Sequence, residues 1–131
     1  MEIPTDREVI EIPTATYWED DEGILCSVAR RAGPLSLDDV KHMFTVLHQR
    51  IGNRKVCILA DVTHATVEIS RENRDYAAVE LPKITKAVAM VSHSVLGKML
   101  ANLFFTLKTQ PYPTKMFTNE TAAREWLRQY L

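Results

Sequence analysis

The sequence is poor in the residues from which small reactive sites are built. It has four glycines, all dispersed, so no glycine-rich loop is present to cradle a phosphate. Its two cysteines, Cys26 and Cys57, each lie inside an apolar run. There a packed thiol in a reducing compartment is expected rather than a disulfide. The four histidines, His42, His48, His64 and His93, show none of the close pairing of zinc ligands. Neither a metal nor a cofactor is expected. No apolar run approaches the ~20 residues that span a bilayer. The opening MEIPTDREVIEI has no basic segment followed by an apolar core, so it does not read as a secretory signal. An excess of one charge is missing too: 16 basic and 17 acidic residues are interspersed, for a net charge of -1. Nucleic acid needs a basic face that this chain lacks. These absences make a cytoplasmic protein the expectation.

What is present is an ordinary core-forming composition. With 131 residues, 46% hydrophobic and 25% charged, the chain fits a single domain over residues 1–131 with one real core. The first fourteen residues read as an N-terminal arm or an edge strand. Ala15 to Trp18 and Ile24 to Val28 form a β-hairpin around the acidic turn Glu19 to Gly23, where Gly23 supplies the positive φ. Ser36 caps a first helix, with Asp38 and Asp39 in the first turn and an apolar stripe at Leu37, Val40, Phe44, Leu47 and Ile51. Gly52 and Asn53 close it, and His42 and His48 fall on or beside its exposed face.

The chain is organised around Lys55 to Ala78. Val56 to Ala60 is apolar without alternation, the pattern of a central strand covered on both faces. Asp61 ends it, a polar loop follows, and Ser70 opens a second helix that Pro82 is expected to stop. Ala87 to Val91 is another buried strand. Ser94 caps a helix over 94–109, whose broad apolar face carries Val95, Leu96, Met99, Leu100, Leu103, Phe104 and Leu107. Thr114 to Phe117 is a last strand, and Asn119 caps a final helix with its stripe at Ala122, Trp126, Leu127 and Tyr130. The order β-β-α-β-α-β-α-β-α predicts an α/β fold, with the later strands parallel through right-handed crossovers.

Parallel strands bring their C-terminal ends to one edge, where ligands of open α/β sheets bind beside a reversal of strand order. The residues gathered there are Arg30, Arg31, Asp61, Thr63, His64, Ser70, Arg71, His93, Ser94, Thr118 and Asn119. Helix N-termini pointing to the same edge can hold anions, yet Ser, Asp and Asn also occur there simply as caps. A hydrolase reading of Asp61, His64 and Ser70 fails for want of a Gly-x-Ser-x-Gly elbow. The broad face of helix 94–109 is open to three readings: packed core, dimer surface or wall of an apolar pocket.

The passages YWEDDEGIL, VCILADVTHATVEISRENRDYAA, AVAMVSHSVLGKMLANLFF and PTKMFTNETAAREWL carry a resemblance. From about Ala15 onward the chain resembles the small bacterial STAS-like (SpoIIAA-like) proteins, grouped as STAS or CRAL-TRIO-like domains of unknown function. The resemblance implies a mixed, largely parallel sheet with packed helices. In STAS anti-sigma-factor antagonists an Asp-Ser-Ser-Gly motif opens the helix after a strand, and a partner kinase phosphorylates its first serine. Ile69-Ser70-Arg71-Glu72 falls on that motif and shares the serine alone. The resemblance therefore implies a non-enzymatic regulatory or protein-interaction module, with loop 61–70 as working surface and Ser70 as switch. Its partners would be an unidentified protein, a second copy of the chain, or a small apolar or anionic ligand. The alternative is a small-molecule or lipid-binding protein using the C-terminal sheet edge or the apolar face of helix 94–109. A chain of this length lacks the extra helices that close the cavity of larger lipid-transfer proteins.

Overall fold

A computed structural model describes residues 1–30, 34–65, 70–94 and 110–131. Within them, β1 (Ile10–Ile12), β2 (Ala15–Glu19), β3 (Leu25–Ala29), β4 (Val56–Asp61), β5 (Thr85–Val91) and β6 (Thr114–Phe117) form one sheet, in the order in which the chain makes them. The first two pairings are antiparallel and the remaining three parallel. Helices α1 (Leu37–Ile51), α2 (Arg71–Ile84) and α3 (Glu120–Leu127) complete the described elements, the last running into a 3-10 turn at Arg128–Tyr130.

Local chemistry accounts for the turns. In the β2–β3 hairpin Asp20 Oδ1 accepts from the N–H groups of Glu22 and Ile24, each at 2.9 Å, and Gly23 takes φ +78°. Ser36 and Asp39 form a reciprocal capping box on α1: Ser36 Oγ accepts from Asp39 N–H and Asp39 Oδ2 from Ser36 N–H, both at 3.1 Å. Gly52, at φ +69°, donates back to His48 O and ends the helix.

The sheet separates two cores. On one face Trp18, Ile24, Cys26, Cys57, Leu59, Ala87, Ala89 and Val91 pack against Ala123 and Leu127 of α3. The alanines of β5 and α3 leave room for that helix to lie close. On the other face Leu25, Val56, Ile58 and Val88 meet Leu47 and Ile51 of α1 and Ile84 of α2. The unbroken apolar run of β4 is thus covered on both sides, as its lack of alternation predicts. With consecutive parallel strands always added on the same side, right-handed crossovers put α1 and α2 on one face. Among the described helices it is α3, which follows β6, that covers the other.

Of the two readings of residues 1–14, the edge strand is the one found: β1 pairs with β2, and Met1 packs against the α3-side core. Other features differ from expectation. Helix α2 continues through Pro82 to Ile84. The proline sits in the last turn, where its missing N–H frees the carbonyl of exposed Ala78 to solvent, and buried Ile84 anchors the turn beyond it. Strand β5 begins at Thr85 rather than Ala87. His48 is half-buried, its Nε2 2.9 Å from Glu80 Oε2 on α2, not on an open face. On α3 the fully buried positions are Ala123 and Leu127, while Trp126 meets Phe117 at a tilt and Tyr130 edge-on. The expected helix over 94–109 lies, from residue 95 onward, outside the described residues.

Candidate functional site

The parallel register brings four strand ends into line: Val28 faces Asp61, Asp61 faces Val91, and Val91 faces Phe117. Residues just beyond these positions form one rim, as the sequence predicts. Among the described strands the expected reversal of order is not found, because they follow one another in sequence order. A crevice of the kind that a reversal opens between diverging crossovers is therefore not built into this sheet.

Asp61 is the centre of the rim and is buried. Its Oδ2 accepts from the Met1 ammonium at 2.7 Å, and its Oδ1 accepts from the Thr63 hydroxyl at 2.7 Å and the Thr63 N–H at 3.1 Å. Burial alone would push the carboxyl up, but the hydrogen bonds from the ammonium and from Thr63 outweigh it and hold the pKa below its ordinary value. Thr63 Oγ1 accepts in turn from His93 N–H at 3.1 Å, tying the loop after β4 to the loop after β5. Ser92, which sequence reasoning did not single out, is buried there. Its Oγ accepts from Ser94 N–H at 3.2 Å and its own N–H donates to Phe117 O at 3.1 Å. A lone serine after an apolar strand gives no sequence signal of this role.

Ser70 lies exposed at the N-cap of α2, its Oγ accepting from Asn73 N–H at 3.1 Å. Arg71, Glu72, Arg74 and Asp75 are exposed beside it, and Arg71 lies 3.8 Å from Asp75 across one turn. Asn73, also unforeseen, faces inward. Its Nδ2 donates to Leu35 O at 3.1 Å, fastening the first turn of α2 to the segment that enters α1, while its buried Oδ1 has no hydrogen-bond partner. Asn119 Oδ1 accepts from Ala122 N–H at 2.8 Å, a capping role. His64 and His93 expose their rings.

Arg30 does not join this rim. Its guanidinium folds back across the hairpin, donating to Thr16 Oγ1 at 3.0 Å, to Ala15 O at 3.2 Å and to Ile12 O. Carbonyls at the β1–β2 corner need donors, and the arginine is long enough to supply them. Arg31 lies outside the described residues. Among the described residues Ser70 Oγ is bonded to a backbone N–H and to no histidine, so no activated nucleophile is assembled. No group of three or more His, Cys, Asp or Glu could hold a metal ion among the described residues, and no described helix is long and apolar enough to cross a membrane.

Comparison with known proteins adds to this geometry. A family model described as a domain of unknown function, DUF7793, matches residues 17–131. No curated protein matches the chain. An uncharacterized protein of the DUF3478 family with a SpoIIAA-like fold, from Shewanella loihica PV-4, is 19% identical over 86% of this chain and 91% of its own, with a TM-score of 0.62. A protein of unknown function from Arthrobacter sp. FB24 is 25% identical over 86% of this chain and 92% of its own, with a TM-score of 0.31. The Shewanella structure shows the fold: this chain has the SpoIIAA-like, STAS-like α/β architecture.

Proposed function

The chain belongs to the DUF7793 family, and from that premise we propose that it is a non-enzymatic regulatory or interaction module working through loop 61–70 and the first turn of α2. The observation that carries this reading is the exposure of α2. Of its fourteen residues only Asn73 and Ile84 are buried, and Ser70 stands open at its N-cap. Seven of the fourteen are exposed, among them Arg71, Glu72, Arg74 and Asp75 beside Ser70, so this end of the helix is open to a partner. A phosphate on Ser70 would meet the positive end of the helix dipole and the guanidinium groups of Arg71 and Arg74, which favours a doubly charged group there. The partner is expected to be a protein, or a second copy of this chain.

Ligand binding at the same rim is less well supported. Its polar groups are spent on one another, Asp61 with Met1 and Thr63, Thr63 with His93, and Ser92 with Ser94.

The test compares the wild-type chain with Ser70→Asp, Ser70→Ala and, as a remote control, Glu125→Gln in quantitative affinity capture from the native cell. Asp keeps the N-cap acceptor and adds charge, so the fold is expected to hold. Ser70→Ala removes the cap and is expected to cost about 1 kcal/mol. At least one partner captured by wild type should change several-fold with Ser70→Asp and not with Glu125→Gln. An identical partner profile for all four proteins would overturn the proposal.

A further inference from the structure

A second feature lies at the opposite end of the sheet, where the parallel strands begin. The hairpin turn, the residues entering β4 and the start of β5 line an open surface pocket of about 420 Å³, within the range of small-molecule sites. Arg54, Lys55 and Lys86 line it with one acidic side chain, Glu22, and the Cys57 and Leu131 side chains supply apolar surface. Glu22 does not neutralise the cations, because both its oxygens are taken by Arg128, at 3.2 and 3.3 Å. Arg54 is held in place rather than used up: Nε donates to Ile51 O at 3.0 Å and one terminal nitrogen to Glu19 at 3.2 Å, leaving further donors on the fork. Lys55 and Lys86 are in no ion pair among the described residues. Cys57 stays a neutral thiol, since burial pushes its pKa up against the pull of Lys86.

The backbone is irregular at this place. Val56 faces Thr85 while Cys57 faces Ala87, so Lys86 is the extra residue of a β-bulge between parallel strands. Bulges in parallel pairs are rare, and they re-aim a side chain. Here the bulge leaves the chain's alternation broken at a lysine that lines the pocket.

We infer that this pocket is a binding site for a small phosphate monoester, built from Arg54, Lys55 and the bulged Lys86. Two unpaired lysines balance a dianion, and the arginine fork adds directed hydrogen bonds. Three cationic side chains on one cleft can offer a donor to each of the three terminal oxygens of a phosphate monoester, where a carboxylate presents two. The site lies across the sheet from Ser70 and does not depend on the regulatory reading above.

The test is a titration of the isotope-labelled full chain with phenyl phosphate at constant chloride, followed by backbone amide shifts. Saturable shifts are expected at Lys55, Val56, Cys57, Lys86 and Ala87. In Lys55→Ala/Lys86→Ala, which alters two exposed side chains, the affinity should fall at least about tenfold, with the dispersion of the spectrum unchanged. Succinate serves as the planar dianion and should bind more weakly. Shifts that do not saturate, an affinity unaltered in the double variant, or tighter binding of succinate would each overturn the assignment. Ser70→Asp, run in parallel, should leave this titration as it is.

Discussion

Arg124 of α3 reaches Asp20 in the β2–β3 turn, terminal nitrogen to Oδ2 at 2.5 Å, across 104 residues of sequence. The same aspartate organises its own turn through Oδ1, and Arg124 Nε is steadied by Glu120 at 3.1 Å. Burial alone would lower the arginine's pKa; the bonds to Asp20 and Glu120 raise it instead, so the guanidinium stays charged. One side chain thus shapes the hairpin and locks the final helix over the core.

Replacing Asp20 by Ala should therefore cost more than the loss of a surface ion pair. It removes two turn hydrogen bonds and leaves a partly buried guanidinium short of its partner. A loss of about 2–3 kcal/mol is expected, and Arg124→Met should cost less because the turn bonds survive. Urea denaturation of the two variants measures both. Equal losses would show that the turn bonds contribute nothing.

Asp61 gives the protein an acid-sensitive element. Its folded pKa lies below the ordinary 3.8, so the unfolded chain binds the proton more readily. The stabilisation is complete above 3.8 and is lost as pH falls through that value towards the folded pKa. Asp61→Asn should be less stable than wild type at about pH 6, and the difference should shrink by about pH 3. Urea midpoints across that range decide it. A constant gap would mean that the carboxyl contributes packing and no charge.

The thiols should be inert while the protein is folded. Cys26 is fully buried, and burial first, then the neighbouring Asp20 carboxylate, push its pKa up to about 12, despite the opposing pull of Arg124. Because the thiolate is the reactive form, iodoacetamide should label Cys26 only through unfolding. Asp20→Ala should then speed labelling roughly thirtyfold, the equivalent of about 2 kcal/mol. Rapid labelling of the wild type at neutral pH would contradict this account.

Features decided by a few adjacent residues were legible in the sequence. The caps at Ser36, Ser70 and Asn119, the glycines at 23 and 52, and the doubly covered run Val56 to Ala60 all follow from local chemistry, and the order of elements fixed the fold class. Long-range choices were not legible. Nothing near Arg30 says that its guanidinium turns back to the hairpin carbonyls. Nothing near Lys86 announces a bulge, since an exposed lysine beside apolar residues suits a regular strand equally well. Asn73 looked like one more polar residue of a helix turn, and its inward bond to Leu35 depends on how α1 and α2 meet. The strand ends at Val28, Asp61, Val91 and Phe117 do lie in register, but the sequence could not say that Arg30 would turn away from them or that the polar groups beyond them would satisfy one another.

The strands lie side by side in the order of synthesis, and this has a consequence for how the protein is born. Each new strand finds its partner already placed at the growing margin, so the sheet can grow one strand at a time without threading past a strand already set. The face beneath α3 is closed by a later step. Among the described residues Trp18, Cys26, Leu59 and Val91 are covered by Ala123 and Leu127. The four strands that carry them are thus made before their cover, and their apolar surface stays open to solvent until α3 docks.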